Sequence, residues 1–237
     1  MSLDGFSMRP LVRELNDKLA GGRIDKITQP NKQSIVLSIR QPGQNHQLHI
    51  SINSQNPAAH IMAKNLENPP EPPVFCMVLR KQLETGRIAA IRQHGLDRLI
   101  LMDVDSIAAG GKIVTKTLVM ELMGKYSNII LVQDGTIIDA LRKIGSNSSR
   151  VRTVLPGDAY ELPPGQDKLD LFTADLPAVI ERIKQADHEE RLDKAILGAC
   201  MGFGPVSAKE VCFCAGFAPS TRLNTLAPMM LPRDRLL

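Results

Sequence analysis

Tryptophan is absent, and only six Phe and two Tyr occur among 237 residues. So few rings argue against a base-stacking platform for single strands, which needs exposed aromatics. No apolar run approaches the ~20 residues of a membrane span, so no membrane partner is expected. Met1-Ser2-Leu3-Asp4-Gly5 has no basic stretch followed by an apolar one, and a secretory signal is missing. There are four cysteines, Cys76, Cys200, Cys212 and Cys214, and no pair has the two-residue gap of a zinc knuckle or redox motif. They read as reduced thiols of a cytoplasmic protein. Cys212 and Cys214 are expected on different faces of one helix. His46, His49, His60, His94 and His188 lack metal-ligand spacing, and His46 and His49, three apart in or beside a strand, point to opposite faces. No phosphate loop, dinucleotide fingerprint or nucleophile elbow is present. No metal and no cofactor are expected.

What is present is globular. Hydrophobic residues make up 43% and charged residues 23%, which excludes wholesale disorder. The length suits one large domain or two smaller ones. The net charge is +4, unevenly placed: residues 1–100 carry 13 basic and 8 acidic side chains, and the remainder carries 16 and 17. That permits a polyanionic partner without demanding one.

Leu11, Leu15 and Leu19, with Val12, predict a helix over Met8–Ala20, with Pro10 in its first turn and Gly21-Gly22 after it. Strand patterns follow around Ile24–Ile27, at Ser34–Ile39 and at Gln47–Ile52. Four prolines in Asn68–Pro73 make a rigid loop. Phe75, Val78, Leu79 and Leu83 predict a helix over Glu71–Glu84, with Arg80 and Lys81 falling away from the buried stripe and Gly86 as its stop. Arg87–Gln93 and Arg98–Val104 form a hairpin turning at His94-Gly95-Leu96-Asp97. Further strands are expected at Lys112–Met123, Asn128–Gln133 and Thr136–Leu141, the last two joined by an Asp134-Gly135 turn. Val151–Lys168 reads as a surface linker. Helices follow at Leu176–Gln185, Glu189–Cys200 and Val206–Cys214. Ala227–Leu237 reads as an end without a closing element.

The fold class is therefore α+β. A mostly antiparallel sheet or sandwich domain with two packed helices spans residues 1–172, and a small helical module spans 173–237. Two features could carry chemistry. Asp97-Arg98, by itself, reads as a turn carboxylate and a strand-end cation. With Arg80, Lys81, Arg87 and Arg92 nearby it could also grip phosphate, a guanidinium offering two parallel hydrogen bonds. Gly202-Phe203-Gly204-Pro205 joins two helices, and its backbone N–H groups favour an anion at the helix start.

Three segments, Ser2-Leu3-Asp4-Gly5, Val78-Leu79-Arg80-Lys81-Gln82-Leu83-Glu84 leading to Gly95-Leu96-Asp97-Arg98-Leu99, and Glu121-Leu122-Met123-Gly124-Lys125-Tyr126-Ser127-Asn128-Ile129-Ile130-Leu131, occur in that order. With them the chain resembles the N-terminal part of NFACT proteins, the bacterial RqcH group long called fibronectin-binding protein A, with NEMF as eukaryotic relative. The resemblance covers essentially the whole chain. It implies a non-enzymatic ribosome quality-control factor that binds tRNA on the obstructed large ribosomal subunit carrying peptidyl-tRNA. Such a factor recruits charged alanyl-tRNA, so that the stalled chain gains an alanine tail. By motif match the tRNA-binding residues are Asp4, Asp97 and Arg98, expected to line one groove. Arg80, Lys81, Arg87 and Arg92 are added from pattern alone as phosphate contacts. The coiled coil and later domain of the family are not expected within these 237 residues, which read as a fragment.

Gly202 to Pro219 is also similar to the helix–two-turns–helix of formamidopyrimidine-DNA glycosylases, whose N-terminal domain the sheet would match in layout. Those enzymes use an N-terminal proline amine followed by Glu, where this chain has Ser2-Leu3. Pro205 replaces the asparagine of their turn and has no N–H to offer. A glycosylase-like lyase is thus the alternative reading. A host-matrix adhesin, which the old family name implies, ranks last.

Overall fold

The computed structural model describes residues 3–64, 66–108, 110–147 and 152–226. Ser2, Val151 and the 227–237 end lie outside them. The chain separates into two compact units. One comprises Ser7–His94 and Arg98–Gly165, and the other Asp4–Phe6, Gly95–Asp97 and the chain from Gln166 onward.

The first unit is one nine-stranded antiparallel sheet with two helices. In chain order the elements are α1 (Gly5–Leu19), β1 (Arg23–Asn31), β2 (Ser34–Gln41), β3 (Gln44–Ser51), β4 (Ala58–Met62), α2 (Val74–Leu83), β5 (Arg87–Gln93), β6 (Leu99–Ile107), β7 (Ile113–Glu121), β8 (Asn128–Gln133) and β9 (Thr136–Ala140). The strand order is β4-β3-β2-β1-β5-β6-β7-β8-β9, two meanders joined at β1 and β5. Arg23 and Arg87 are the paired residues of that seam. Backbone bonds between Gly21 and Ile88, Ile88 and Gly22, Ile24 and Gly86, and Thr85 and Ile24 close it. A Cβ on Gly22 would lie 2.5 Å from the Ile39 side chain, and one on Gly86 2.7 Å from Val104. Gly86 therefore serves the strand seam, and the left-handed turn after α2 falls on Thr85, at φ 69°.

Met8, Val12, Leu15 and Leu19 of α1 and Phe75, Cys76, Leu79 and Leu83 of α2 share one core with Leu48, Ile50 and Ile52. α1 starts at Gly5, ahead of the expected Met8, so Pro10 sits inside the helix and gives no N–H to the carbonyl four residues back. α2 starts after Pro73 because consecutive prolines hold the preceding residues extended. β8 is buried on both faces. A second cluster, with Leu99, Val119, Ile130 and Val154, covers the side of β6–β9 away from the helices. Val154 pairs with Ile144 and Ala159 with Thr136. The stretch expected as a surface linker is thus partly core, since a strand apolar on both faces needs a cover on each. β4 carried no strong signal and is found through its pairing with β3.

That pairing sets His49 directly opposite His60, rings edge to face at 5.1 Å. Burial, then the charge of His60, holds the His49 pKa below its usual 6.5. The unfolded chain therefore binds this proton at higher pH than the folded one. Stability is expected to be level above pH 6.5 and to fall as the pH drops through the folded value. Thermal melts between pH 8 and pH 5, each roughly chosen around the ordinary histidine range, should show this decline. It should shrink in His49→Gln.

The second unit holds α3 (Leu176–Lys184), α4 (Leu192–Ala199), α5 (Pro205–Cys214) and α6 (Leu223–Leu226). Asp175 caps α3 by accepting from the Ala178 N–H at 2.9 Å. Ala195, Ile196, Ala199, Ala208 and Cys212 form its core. Cys212 is buried and Cys214 exposed, on different faces as expected.

Candidate functional site

Three glycine-bearing segments meet in the second unit: Asp4-Gly5-Phe6, Gly95-Leu96-Asp97 and the turn at 202–204. Gly5 lies against the Leu96 carbonyl so closely that a Cβ there would sit 1.7 Å from the oxygen. The Phe6 N–H donates to the Gly202 carbonyl at 2.9 Å. Gly202 has φ +80°, and a Cβ there would be 2.7 Å from the Leu96 Cβ. Leu96 is buried at the centre. Phe6 adds an edge-to-face contact with Phe203 at 5.5 Å and stacks with Phe172 at 6.5 Å.

At this junction the Asp4 carboxylate accepts the Gly204 N–H at 2.7 Å and the Ser207 hydroxyl at 2.5 Å, both on Oδ2. α5 has no capping side chain of its own, because its N-cap is Gly204. Asp4 performs that task from 200 residues away. A carboxylate at a helix N-terminus satisfies open N–H groups and meets the positive end of the dipole. The anion that the glycine turn favours is thus the chain's own. A Cβ on Gly204 would meet the Asp4 Cβ at 2.9 Å, so this position is glycine to admit Asp4. Ser207 was not singled out from sequence. The available signal was a helix start with glycine where Ser, Asp or Asn is usual, which asks for a cap from elsewhere.

Asp4 and Asp97 lie on segments in direct backbone contact within this unit. Both are half-buried. Arg98 is assigned to the sheet unit, where its carbonyl accepts the Leu122 N–H at 2.9 Å as β6 begins. It forms no ion pair among the described residues.

The cations named from pattern fare differently. Arg80 does not fall away from the core. Its Nε donates to the Ile27 carbonyl at 2.8 Å and lies 3.8 Å from Glu84, whose carboxylate accepts the Ile27 N–H. Arg80 and Glu84 together clamp β1. Arg92 is paired with Asp103. Arg87 donates to the Gly21 carbonyl at 3.1 Å. Lys81 is exposed on α2. A bulge between Ile88 and Ala90 brings Arg87 and Arg92, five apart, to the same exposed side of β5. Across from them lie Asp103 and Asp105, so that face carries both signs.

The Glu121–Asn128 segment is largely structural. Glu121 is fully buried and pairs with Arg152 at 2.5 Å, and the Tyr160 hydroxyl donates to it at 3.1 Å. Burial, then the Glu121 charge, raises the Tyr160 pKa well above the usual phenol value. Asn128 accepts the Ile129 and Arg142 N–H groups and donates to the Arg142 carbonyl, each at 2.9 Å. Among the described residues no group of three His, Cys, Asp or Glu could hold a metal ion, and no helix is long and apolar enough to cross a membrane.

A nine-stranded antiparallel sheet with two helices, together with helices of which one is capped by Asp4, defines an α+β fold. The chain belongs to the family of NFACT N-terminal and middle domains, which matches residues 4–232. It is similar to the Rqc2 homolog RqcH of Bacillus subtilis, 40% identical over 225 residues, or 94% of this chain and 39% of that protein. It thus spans well under half of that relative. Among solved structures it is similar to the N-terminal domain of the fibronectin-binding protein PavA from Streptococcus pneumoniae. There the TM-score is 0.82 at 31% identity, covering 96% of this chain and 82% of that one. The N-terminal part of the fibronectin/fibrinogen-binding protein from Streptococcus suis gives 0.81 at 34%, covering 95% and 83%.

Proposed function

We propose that this chain is the tRNA-recognising part of a ribosome-associated quality-control factor. In this reading it holds tRNA on the large ribosomal subunit that still carries peptidyl-tRNA, and brings alanyl-tRNA for tailing the stalled chain. The observation that carries the reading is the backbone contact between the segments bearing Asp4 and Asp97, in a chain related to Rqc2 homologues. The chain supplies position and not chemistry. Peptidyl transfer belongs to the ribosome, and a tRNA held in one orientation converts a diffusive encounter into a local one. Asp97 accepts hydrogen bonds from ribose or base, and Arg98 grips phosphate. Asp4 acts through the turn it caps and is a positioning residue. Arg80 and Arg92 hold the chain itself, and exposed Lys81 and Arg87, the latter through guanidinium N–H groups other than the one given to Gly21, are the outlying phosphate contacts. Such a factor works in the cytoplasm. The glycosylase reading gains no support, since a carboxylate already occupies the start of α5 and Pro205 offers no N–H.

Filter binding of tRNA at low salt tests this. Arg98→Ala is expected to weaken binding by about 1.5–3 kcal/mol, the range for a hydrogen bond to a charged group. Its melting curve should match the parent. Unchanged affinity overturns the role of Arg98.

A further inference from the structure

The scarcity of rings spoke against base stacking, but four of the eight aromatic residues, Phe6, Tyr126, Phe172 and Phe213, are exposed. Tyr126 stands apart from the others because its surroundings are cationic and polar. It lies on a single 3-10 turn over residues 124–126, in the sheet unit, and is 68% exposed. Gly124 takes φ +59° to open this turn. The Tyr126 and Ser127 N–H groups close it on the Met123 and Gly124 carbonyls at 3.1 Å. Arg142 donates to the Lys125 carbonyl at 3.0 Å, and Asn128 ties Arg142 down in turn. The ring is therefore presented in water on a backbone that is already ordered, so a ligand meets little further entropy cost.

Two charges accompany it. The Lys125 ammonium lies 4.9 Å from the ring centroid, and the Arg142 guanidinium is anchored on the same turn. The Ser54 carbonyl is 3.6 Å from where a Gly124 Cβ would be. This sets the turn beside a polar loop with exposed Gln55 and Asn56. Amide side chains offer both donors and acceptors to a base edge. A flat ring, cations for phosphate and amides for edges make the combination by which single-stranded RNA is held. The cations and amides beside this ring suit a nucleic acid better than the apolar core of a protein interface.

We propose that Tyr126, flanked by Lys125 and Arg142, stacks an unpaired base of RNA. This rests on the RNA-binding reading above and extends it to a second place on the sheet unit. The chain supplies its own reporter. With no Trp and two Tyr, its emission comes from Tyr126 and from Tyr160, which is tied to Glu121 and Arg152. Transfer RNA and polyuridylate are expected to quench tyrosine fluorescence, and a continuous RNA duplex to leave it unchanged. Tyr126→Ala should weaken binding of both single-strand-bearing probes about five- to a hundredfold at fixed salt. Tyr126→Phe should keep the affinity and lose the quench. Lys125→Ala should reduce the slope of log affinity against log salt by about 0.7. Binding with undisturbed emission, or a Tyr126→Ala chain that binds like the parent, overturns the stacking site. Binding that survives Tyr126→Ala and is lost in Arg98→Ala removes this site and leaves the tRNA reading standing. A parent chain that retains no tRNA overturns both.

Discussion

Replacing Gly5 by alanine is expected to open the junction between the chain's first residues and the 95–97 turn. The new methyl would lie 1.7 Å from the Leu96 carbonyl oxygen, 2.8 Å from its carbon and 3.0 Å from the Gly202 Cα. All three are backbone atoms, so no rotamer change relieves the clash. Overpacking of a filled site costs about 1–3 kcal/mol, and a rigid backbone neighbour places this case at the upper end. The segment that must retreat carries Asp4, so the cap of α5 is lost with it, worth about 1 kcal/mol more. Gly198→Ala is the control. It is an exposed position in α4 with nothing within 4 Å of the added methyl. There alanine should stabilise by about 0.5–1 kcal/mol through helix propensity. Urea transitions followed by circular dichroism should move in opposite directions for the two variants. Under the proposed function, tRNA affinity falls in Gly5→Ala and stays in Gly198→Ala.

Arg152→Met should cost the sheet unit about 3–5 kcal/mol, because it strands a buried carboxylate. Among the described residues, Glu121 would keep the Tyr160 hydroxyl alone inside the fold. The expected result is a lower urea midpoint that Glu121→Gln partly rescues in the double variant, since a neutral amide needs no counter-charge. Glu121→Gln alone should cost less than Arg152→Met, because an exposed edge of Arg152 can turn to water and a sealed carboxylate cannot. Equal costs for the two would show that the pair is valued for packing and not for charge. The same network predicts that the Tyr160 phenol keeps its proton above the ordinary range near 10. A folded pKa raised in this way adds stability below the unfolded value, which is lost as the pH climbs through the folded one. An ultraviolet titration of the two tyrosines should therefore show one late phenol.

Local pattern made much of the sheet unit legible. Leu15 and Leu19 marked the buried face of α1, and Leu48, Ile50 and Ile52 that of β3 and its end. Asp134-Gly135 marked a tight turn, and both residues take positive φ, 51° and 76°. These signals are written in neighbours two to four residues apart, where side-chain period and turn chemistry act. β4 was missed because Ala-Ala-His-Ile-Met has little period, and it is a strand through its partner β3. Arg80 looked exposed on a helical wheel, but the wheel does not show that a β1 carbonyl stands within its reach.

The sequence by itself determined the α+β class, the order of helices and strands and the family, since each rests on spacing along the chain or on motifs in order. Only the tertiary structure decided what the motifs do. It set Asp4 on the end of a helix 200 residues later and gave Glu121 its arginine. It also brought Gly5 and Gly202 against Leu96, and left Tyr126 facing water. These are contacts between distant backbone and polar groups, which carry no period. Their energy depends on an approach of a few tenths of an ångström that only the packed chain provides.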